Sequence, residues 1–334
     1  MKVKIIQIDD SIEVPKYRQI INSICHAINI GDLKRGDKSP SINQICKEFD
    51  LSRDTVMVAF NELKTKGIIR SVPGKGYYVK SKDLNKEEKV FLLFDELNAF
   101  KEDLYTSFLN KLDSKVTVDI FFHHFNFQIF QDLIKRSIGK YTSYVIMPAT
   151  FESTSEIIGQ LPADKVFILD RMKPDLIDYP VVYQDFNHDV FQALKAGEDL
   201  LEKYNKLVMI FPGGKEPEGR MTGFRSFCEE KKMPFEITRS FASCKVKKGE
   251  AYFIPSDRNL VSLVKLAAKK GYSLGKDLGI VSFNDTMLKE VVAGGITTIS
   301  TDFKKMGETL ASMIIAKNKI QIANPAALIR RKSL

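Results

Sequence analysis

The chain predicts an α/β protein in two units: a small helical unit ending in a hairpin, then a larger unit of doubly wound parallel sheets in two lobes. Three observations predict it. Helical periodicity with capping residues fills most of the stretch from Pro15 to Lys66. A Pro73-Gly74-Lys75-Gly76 turn follows, between two short β-type runs. Beyond position 89, short apolar runs alternate with amphipathic helical stretches, the pattern of strands covered by helices on both faces.

At 334 residues the natural expectation is two or three domains. The net charge of +9 is unevenly spread. Positions 1–82 carry 15 Lys and Arg against 9 Asp and Glu, and the remaining 252 residues carry 36 against 33. A basic leading unit suits a polyanionic partner. The opening MKVKIIQIDDSIEV lacks a long apolar run and a small-residue cleavage site, so no signal peptide is expected. No stretch approaches the roughly 18–20 apolar residues of a membrane span. The four cysteines, Cys25, Cys46, Cys228 and Cys244, lack metal-ligand spacing and read as reduced structural thiols. A cytoplasmic location is expected.

In the small unit, expected over 1–80, Pro15 opens a helix whose apolar face is Tyr17, Ile20, Ile21, Ile24, Ala27 and Ile28; Gly31 stops it. Ser41 caps a short second helix carrying Ile42, Ile45 and Phe49. After the Asp50-Leu51 break, Ser52 caps a third, from Arg53 to about Lys66, with Val56, Ala59, Phe60 and Leu63 as its buried stripe. Gly67 ends it where a left-handed residue is wanted. The runs 68–71 and 77–79 form a hairpin. Three short helices and a hairpin make a winged helix-turn-helix, which sets its third helix in the DNA major groove. That helix would offer Ser52, Arg53, Asp54 and Thr55. The wing would offer Lys75 between Gly74 and Gly76, whose bare backbone permits close approach to phosphate.

The motifs G-D-x-x-P-S, L-S-R-x-T-V, L-x-x-x-G-I-I and G-x-G-Y-Y-V, in that order, closely resemble the DNA-binding domain of the GntR family. The resemblance implies DNA contacts at Ser41, Ser52, Arg53, Thr55 and Gly74, with Arg53 foremost for base readout. The chain departs from the family at Asn43, where Arg is usual, and at Met57. Asn43 would reach a phosphate or an adenine edge, or serve structure alone. Arg70 and Lys38 are candidate phosphate contacts, or solvated surface charges.

Residues 81–89 read as a polar linker, and 90–334 as the larger domain. Strands are expected at 90–94, 116–122, 143–147, 166–170, 181–184, 207–211, 234–238, 251–254 and 279–283. Helices are expected at 104–112, 127–137, 189–203, 220–231, 259–270 and 303–317. So many strands favour two lobes, with a site at the strands' carboxyl ends, in the cleft between them.

The phrases F-L-L-F-D-E-L-N-A-F, I-L-D-R, V-x-x-D-F, R-M-T-G-F, Y-F-I-P-S-D, G-I-V-S-F-N-D and T-T-I-S-T-D-F-K-K-M-G resemble, in order, the sugar-binding domain of LacI/GalR-type repressors, itself similar to periplasmic binding proteins. The arrangement resembles arabinose-type repressors. A sugar's hydroxyls both donate and accept, so its site wants planar Arg, carboxylates, amides and an aromatic face. The resemblance places these at Asp95, Phe100, Thr150, Arg220, Ser256, Asp257, Asn284 and Asp285. Ser256 stands where Asn is usual. Arg220 also reads as half of an internal salt bridge, and Asp257 and Asp285 as helix caps. Asp185 reads as a cleft or crossover residue.

An enzyme is the rival class. The chain carries no G-x-S-x-G, H-E-x-x-H, P-loop or strand-borne G-x-G-x-x-G motif. His123 and His124 are adjacent at a strand end and point to opposite faces, so neither metal nor cofactor is expected. Pro212-Gly213-Gly214-Lys215 reads as a strand-to-helix turn, or as a phosphate cradle. The expected partners are a double-stranded operator, a monosaccharide effector and a second copy of the chain, with no membrane.

Overall fold

The computed structural model describes residues 5–11, 14–80 and 88–334. Most of the expected linker, positions 81–87, lies outside the described residues; Lys89 already opens a strand.

The first unit packs α1 (Lys16–Asn29), α2 (Ile42–Phe49) and α3 (Arg53–Thr65) against an antiparallel hairpin, β1 (Ile69–Val72) and β2 (Gly76–Val79). Ile20, Ile24, Ile45, Val56, Phe60 and Leu63 form its core, fully buried, and the helical spacing of the sequence explains why these positions point inward. Ser41 closes a full capping box with Gln44, which fixes where α2 begins. Asp50 takes a left-handed conformation (φ 49°), which makes the sharp turn into α3.

The larger unit begins with β3 (Lys89–Phe94), α4 (Ala99–Lys111), β4 (Thr117–Phe122), α5 (Phe127–Ser137), β5 (Ser143–Ile146), α6 (Ser155–Ile158), β6 (Val166–Asp170) and β7 (Val181–Tyr183). It continues with α7 (Phe186–Ala196), α8 (Glu198–Leu201), β8 (Lys206–Ile210), α9 (Glu218–Glu230), β9 (Phe235–Thr238), β10 (Glu250–Ile254), α10 (Asp257–Lys269) and β11 (Leu278–Phe283). It ends with α11 (Met287–Val291), β12 (Thr297–Thr301), α12 (Phe303–Ala316), β13 (Gln321–Ala323) and β14 (Ala326–Ile329).

Two six-stranded sheets result, ordered β13-β7-β6-β5-β3-β4 in the first lobe and β14-β12-β11-β10-β8-β9 in the second. All pairings are parallel except β12 with β14. The expected α/β class with parallel sheets is observed. The central strands β3, β5, β6, β8, β10 and β11 are buried on both faces because each sheet is covered on both. Val90, Leu92 and Phe94 face the layer containing α4 and α12, while Phe91 and Leu93 face the layer containing α5 and α6.

Three strands, β12 to β14, were not expected from the sequence. β12 is Thr-Thr-Ile-Ser-Thr, fully buried yet mostly hydroxyl-bearing, so it lacks an apolar run; β13 and β14 are short edge strands. The helix expected over 189–203 is two helices starting at Phe186 and broken at Gly197, where a Cβ would stand 2.5 Å from Leu328 Cδ2.

The chain passes between the lobes three times, at 184–185, at 302 and at 324–325. Asn324, 2% exposed, ties all three. Its N–H donates to Tyr183 O (2.7 Å), and its Nδ2 donates to Thr301 Oγ1 (3.1 Å) and Asp302 O (2.8 Å). Removing a buried polar partner strands the others, at a cost of about 1–3 kcal/mol. Asn324→Ala is therefore expected to destabilise the protein by that order, read as a lower midpoint in urea unfolding; an unchanged midpoint would show that the crossovers hold without it.

Candidate functional site

Two surfaces stand out. The first is the outward end of α3. Ser52 Oγ accepts from Thr55 N (3.2 Å) and lies 2.8 Å from Thr55 Oγ1, so the cap holds both hydroxyls at the helix start. Arg53 and Asp54 are exposed beside them. Arg53 Nη1 donates to Asn43 Oδ1 at 2.8 Å, so the α2 residue that departs from the family pattern holds the arginine on α3. Ser41 is committed to its capping box.

At the wing, Lys75 N donates to Val72 O (3.0 Å), closing the turn. Gly74 is left-handed (φ 70°), with no atom within 4 Å of a notional Cβ. Gly76 (φ 104°) would set a Cβ 3.2 Å from Lys38 Cε. Arg70 and Lys75 are exposed on the hairpin. Ser52, Arg53, Asp54, Thr55 and Asn43 thus share one end of the α2–α3 pair, and Arg70, Gly74, Lys75 and Gly76 belong to the hairpin.

The second surface is the cleft between lobes. Asp95, Phe100, Arg220 and Asn284, four of the expected effector residues, line one chamber of about 80 Å³. Arg220 is buried and bonds Glu216 Oε2 (2.8 Å) and Asn284 Oδ1 (3.4 Å), with its guanidinium over the rings of Phe186 (5.4 Å) and Phe283 (4.9 Å). Burial lowers its pKa from the ordinary arginine value, and Glu216 and Asp170 oppose that shift. Asp95 pairs with buried Lys101 and accepts from Glu96 N (2.6 Å). Thr150 lies outside the chamber, in an adjoining groove with Asp185.

Ser256, Asp257 and Asp285 line neither space. Ser256 precedes α10; Asp257 pairs with the buried Lys289 ammonium (2.9 Å), which also donates to Phe283 O (2.6 Å) and Asn284 O (2.9 Å). Asp285 forms a two-pronged bridge to Arg331 (2.6 and 2.8 Å) and accepts from Thr298 Oγ1 (2.9 Å). Burial pushes the Asp285 carboxyl up, but Arg331 and Thr298 more than offset it and hold it below the carboxylate norm. Both aspartates brace the loop after β11.

Sequence reasoning passed over Lys101, Asp170, Arg171, Gln184, Phe186 and Glu216, which line the chamber with Lys215 of the 212–215 turn. Gln184 Nε2 donates to Asp170 Oδ1 (2.6 Å), Arg171 stacks on Phe186 (5.5 Å), and Lys215 Nζ reaches across the lobes to Glu96 (2.9 Å). Asp170 and Arg171 stand in the I-L-D-R phrase, at the end of β6. Their position at a strand's carboxyl end was the available signal. Ala149 (φ 51°), Asp170 (φ 78°) and Asn284 (φ 59°) hold left-handed backbone at the ends of β5, β6 and β11, the strained conformations that cluster at binding sites. His123 is buried, with Nε2 3.1 Å from Met147 O, and no metal cluster occurs among the described residues.

Asp189 sits behind the chamber with Arg220 and Gln184. Burial and the neighbouring Asp185 carboxylate push its carboxyl up to about 6. A carboxyl raised in the fold contributes stability that is complete below its ordinary pKa, roughly 4, and is lost as pH rises through about 6. Asp189→Asn should therefore raise Tm relative to the parent chain at pH 7.5 and not at pH 4; a gain that is equal at both would contradict the assignment.

Compared with known proteins, residues 16–79 match the model of bacterial regulatory proteins of the gntR family, and residues 200–334 match a periplasmic binding protein-like domain. The HTH-type transcriptional repressor YtrA of Bacillus subtilis is 32% identical over 99 residues, 30% of this chain and 72% of that protein. The mannosyl-D-glycerate transport/metabolism system repressor MngR of Escherichia coli is 39% identical over 82 residues, 25% of this chain; the chain spans only 34% of that relative's length. A periplasmic binding protein/LacI transcriptional regulator from Alkaliphilus metalliredigens, solved with D-xylulofuranose, superposes with a TM-score of 0.59 at 14% identity, over 74% of this chain and 98% of that one. That last likeness is one of fold.

Proposed function

The chain belongs to the GntR family of bacterial regulatory proteins, and on that premise we propose that it is a homodimeric operator-binding repressor of carbohydrate genes, controlled by a sugar held between its two lobes. Residues 1–80 serve as the DNA reader and the larger unit, from Lys89 onward, as the sensor, with the stretch before Lys89 as the connection. The site of action is the cytoplasm, where the operator lies. No catalytic step and no cofactor are invoked.

One observation carries this reading: α3 faces solvent at its first turn and the sensor at its last. Its last turn holds Glu62, which pairs with Lys66 and with Lys165 of the first lobe (3.4 Å). Thr65 Oγ1 donates to Gly139 O (2.6 Å), and Arg18 of α1 pairs with Asp164. Burial pushes the Glu62 carboxyl up, but the two lysines more than offset it, and it stays charged at neutral pH. Closing the lobes on a ligand shifts the first lobe, and α3 is attached to that lobe. Differential affinity of the ligand for the two lobe arrangements then becomes differential affinity for DNA.

The chamber suits a polyol. Arg220, Asn284 and the carboxylates Asp95, Asp170 and Glu216 offer fixed donors and acceptors, and Phe100 and Phe186 offer flat apolar faces. A twofold operator needs a twofold protein. Supporting that, α11 exposes Met287 (87%), Leu288 (72%) and Val291 (70%) together, an apolar patch that a second copy would cover.

Arg53→Ala is expected to weaken specific operator binding by roughly 10- to 100-fold, the order of one good base contact of about 1–3 kcal/mol, while ligand binding persists. Arg220→Ala is expected to do the reverse, abolishing the ligand response and sparing the operator. Mobility-shift titrations with and without ligand check both, and loss of both functions in either variant would contradict separate reader and sensor units. Leu288→Asp should shift the protein to monomer in sedimentation velocity and weaken operator binding; an unchanged dimer would place the interface elsewhere. A melting-temperature screen against monosaccharides tests the sugar class, and stabilisation solely by another metabolite class would overturn it.

A further inference from the structure

The cleft is longer than one sugar ring requires. The chamber around Arg220 holds about 80 Å³, and the adjoining groove about 870 Å³. Arg171, Gln184, Phe186, Glu216 and Pro217 line both, so the two adjoin along these residues. Ligand sites usually measure roughly 300–1,000 Å³. The chamber alone falls short of that range, and the groove lies within it.

We propose that the groove is a second subsite, and that the effector is an uncharged, elongated carbohydrate: a disaccharide or longer glycoside with one ring in the chamber and the next in the groove. This rests on the carbohydrate reading above and sharpens it. The direction of extension follows from the walls. Lys215 meets Glu96 (2.9 Å) and the Phe125 ring (5.3 Å), which line the chamber but not the groove, so an inter-lobe bridge closes that side. The groove side carries no inter-lobe ion pair among the described residues; the lobes meet there through Arg171 Nη2, which donates to Lys215 O (3.1 Å) at the edge shared with the chamber. Its wall includes Gly214, left-handed (φ 69°) with no atom within 4 Å of a notional Cβ, so ligand can approach bare backbone there.

The lining selects chemistry. Thr150 and Asn187 supply neutral donors and acceptors, and Met172 (37% exposed) and Ile177 (57%) present apolar faces to a ring's C–H surface. The carboxylates Glu152, Asp185, Glu216 and Glu218 outnumber the cations Arg171 and Lys173. Lys173 is already engaged, donating to Phe151 O and to Thr154 Oγ1 (3.1 Å) and pairing with Asp175 (3.5 Å). Carboxylates accept from hydroxyls and repel a phosphate, so a phosphorylated second unit is disfavoured here.

The test is calorimetric titration of the full chain with neutral disaccharides, their constituent monosaccharides and the corresponding sugar phosphates. At least one disaccharide is expected to bind 10-fold or more tighter than either of its constituents. In Ile177→Arg, with folding checked by thermal melting, that ratio should fall below about threefold; a ratio that survives the substitution would place the second unit elsewhere. A monosaccharide that binds as tightly as every disaccharide would overturn the second subsite and leave the carbohydrate reading standing. Tightest binding by a phosphate would overturn the uncharged class. Failure of every carbohydrate to bind would overturn the carbohydrate reading and the subsite together.

Discussion

The rest of the structure depends on how the chain crosses between its lobes. Three crossings meet at one buried amide, Asn324, which reaches the end of β7, the end of β12 and the start of α12. Each lobe is thereby completed by chain that comes last in sequence. β13 joins the first sheet beside β7, and β14 joins the second beside β12. Three short strands of backbone bonded to one another can bend together without breaking either sheet, which is the geometry of a hinge. The second residue of the 184–185 crossing, Asp185, caps α7, and Gln184 beside it bonds Asp170 in the chamber. The crossing and the chamber therefore share Gln184.

Charged pairs line both the chamber and the contact between the reader and the first lobe. In the chamber, acids and bases alternate: Asp95 with Lys101, Glu96 with Lys215, Glu216 with Arg220, Asp170 beside Arg171. Such pairs leave the cavity polar, because each group keeps lone pairs or N–H groups beyond its own partner. At the reader, Glu62 lies between Lys66 and Lys165, part-buried and below the usual glutamate range. A carboxyl depressed in this way supplies stability above its ordinary pKa and loses it as pH falls. The docking is thus intact at neutral pH and rests on the contacts Glu62–Lys165, Arg18–Asp164 and Thr65–Gly139.

The reader was almost wholly legible in the sequence, because its signals are local. Ser41 and Ser52 cap helices within three residues of themselves, and Gly74 and Gly76 mark a turn only such residues adopt. Its buried apolar positions follow helical spacing, with Gln19 as the one polar residue among the buried positions of α1. The sensor was legible where strands are continuous apolar runs and illegible at β12, whose threonines are buried by neighbours far along the chain. The same holds for site residues. Asp95, Phe100, Arg220 and Asn284 converge in one chamber, but the engagements of Asp257 with Lys289 and of Asp285 with Arg331 span 32 and 46 residues and leave no local trace. Arg53 on Asn43 is a bond between two helices that neither helix announces.

The proposed function requires the inter-lobe cleft and the α3 surface to be coupled, and coupling is reciprocal. Its most direct measurement is the dissociation constant of the bound sugar, taken once for the protein alone and once for the protein saturated with operator DNA at fixed salt. The two constants are expected to differ, by the same factor by which the sugar changes operator affinity. Equal constants, with both ligands bound at once, would contradict it.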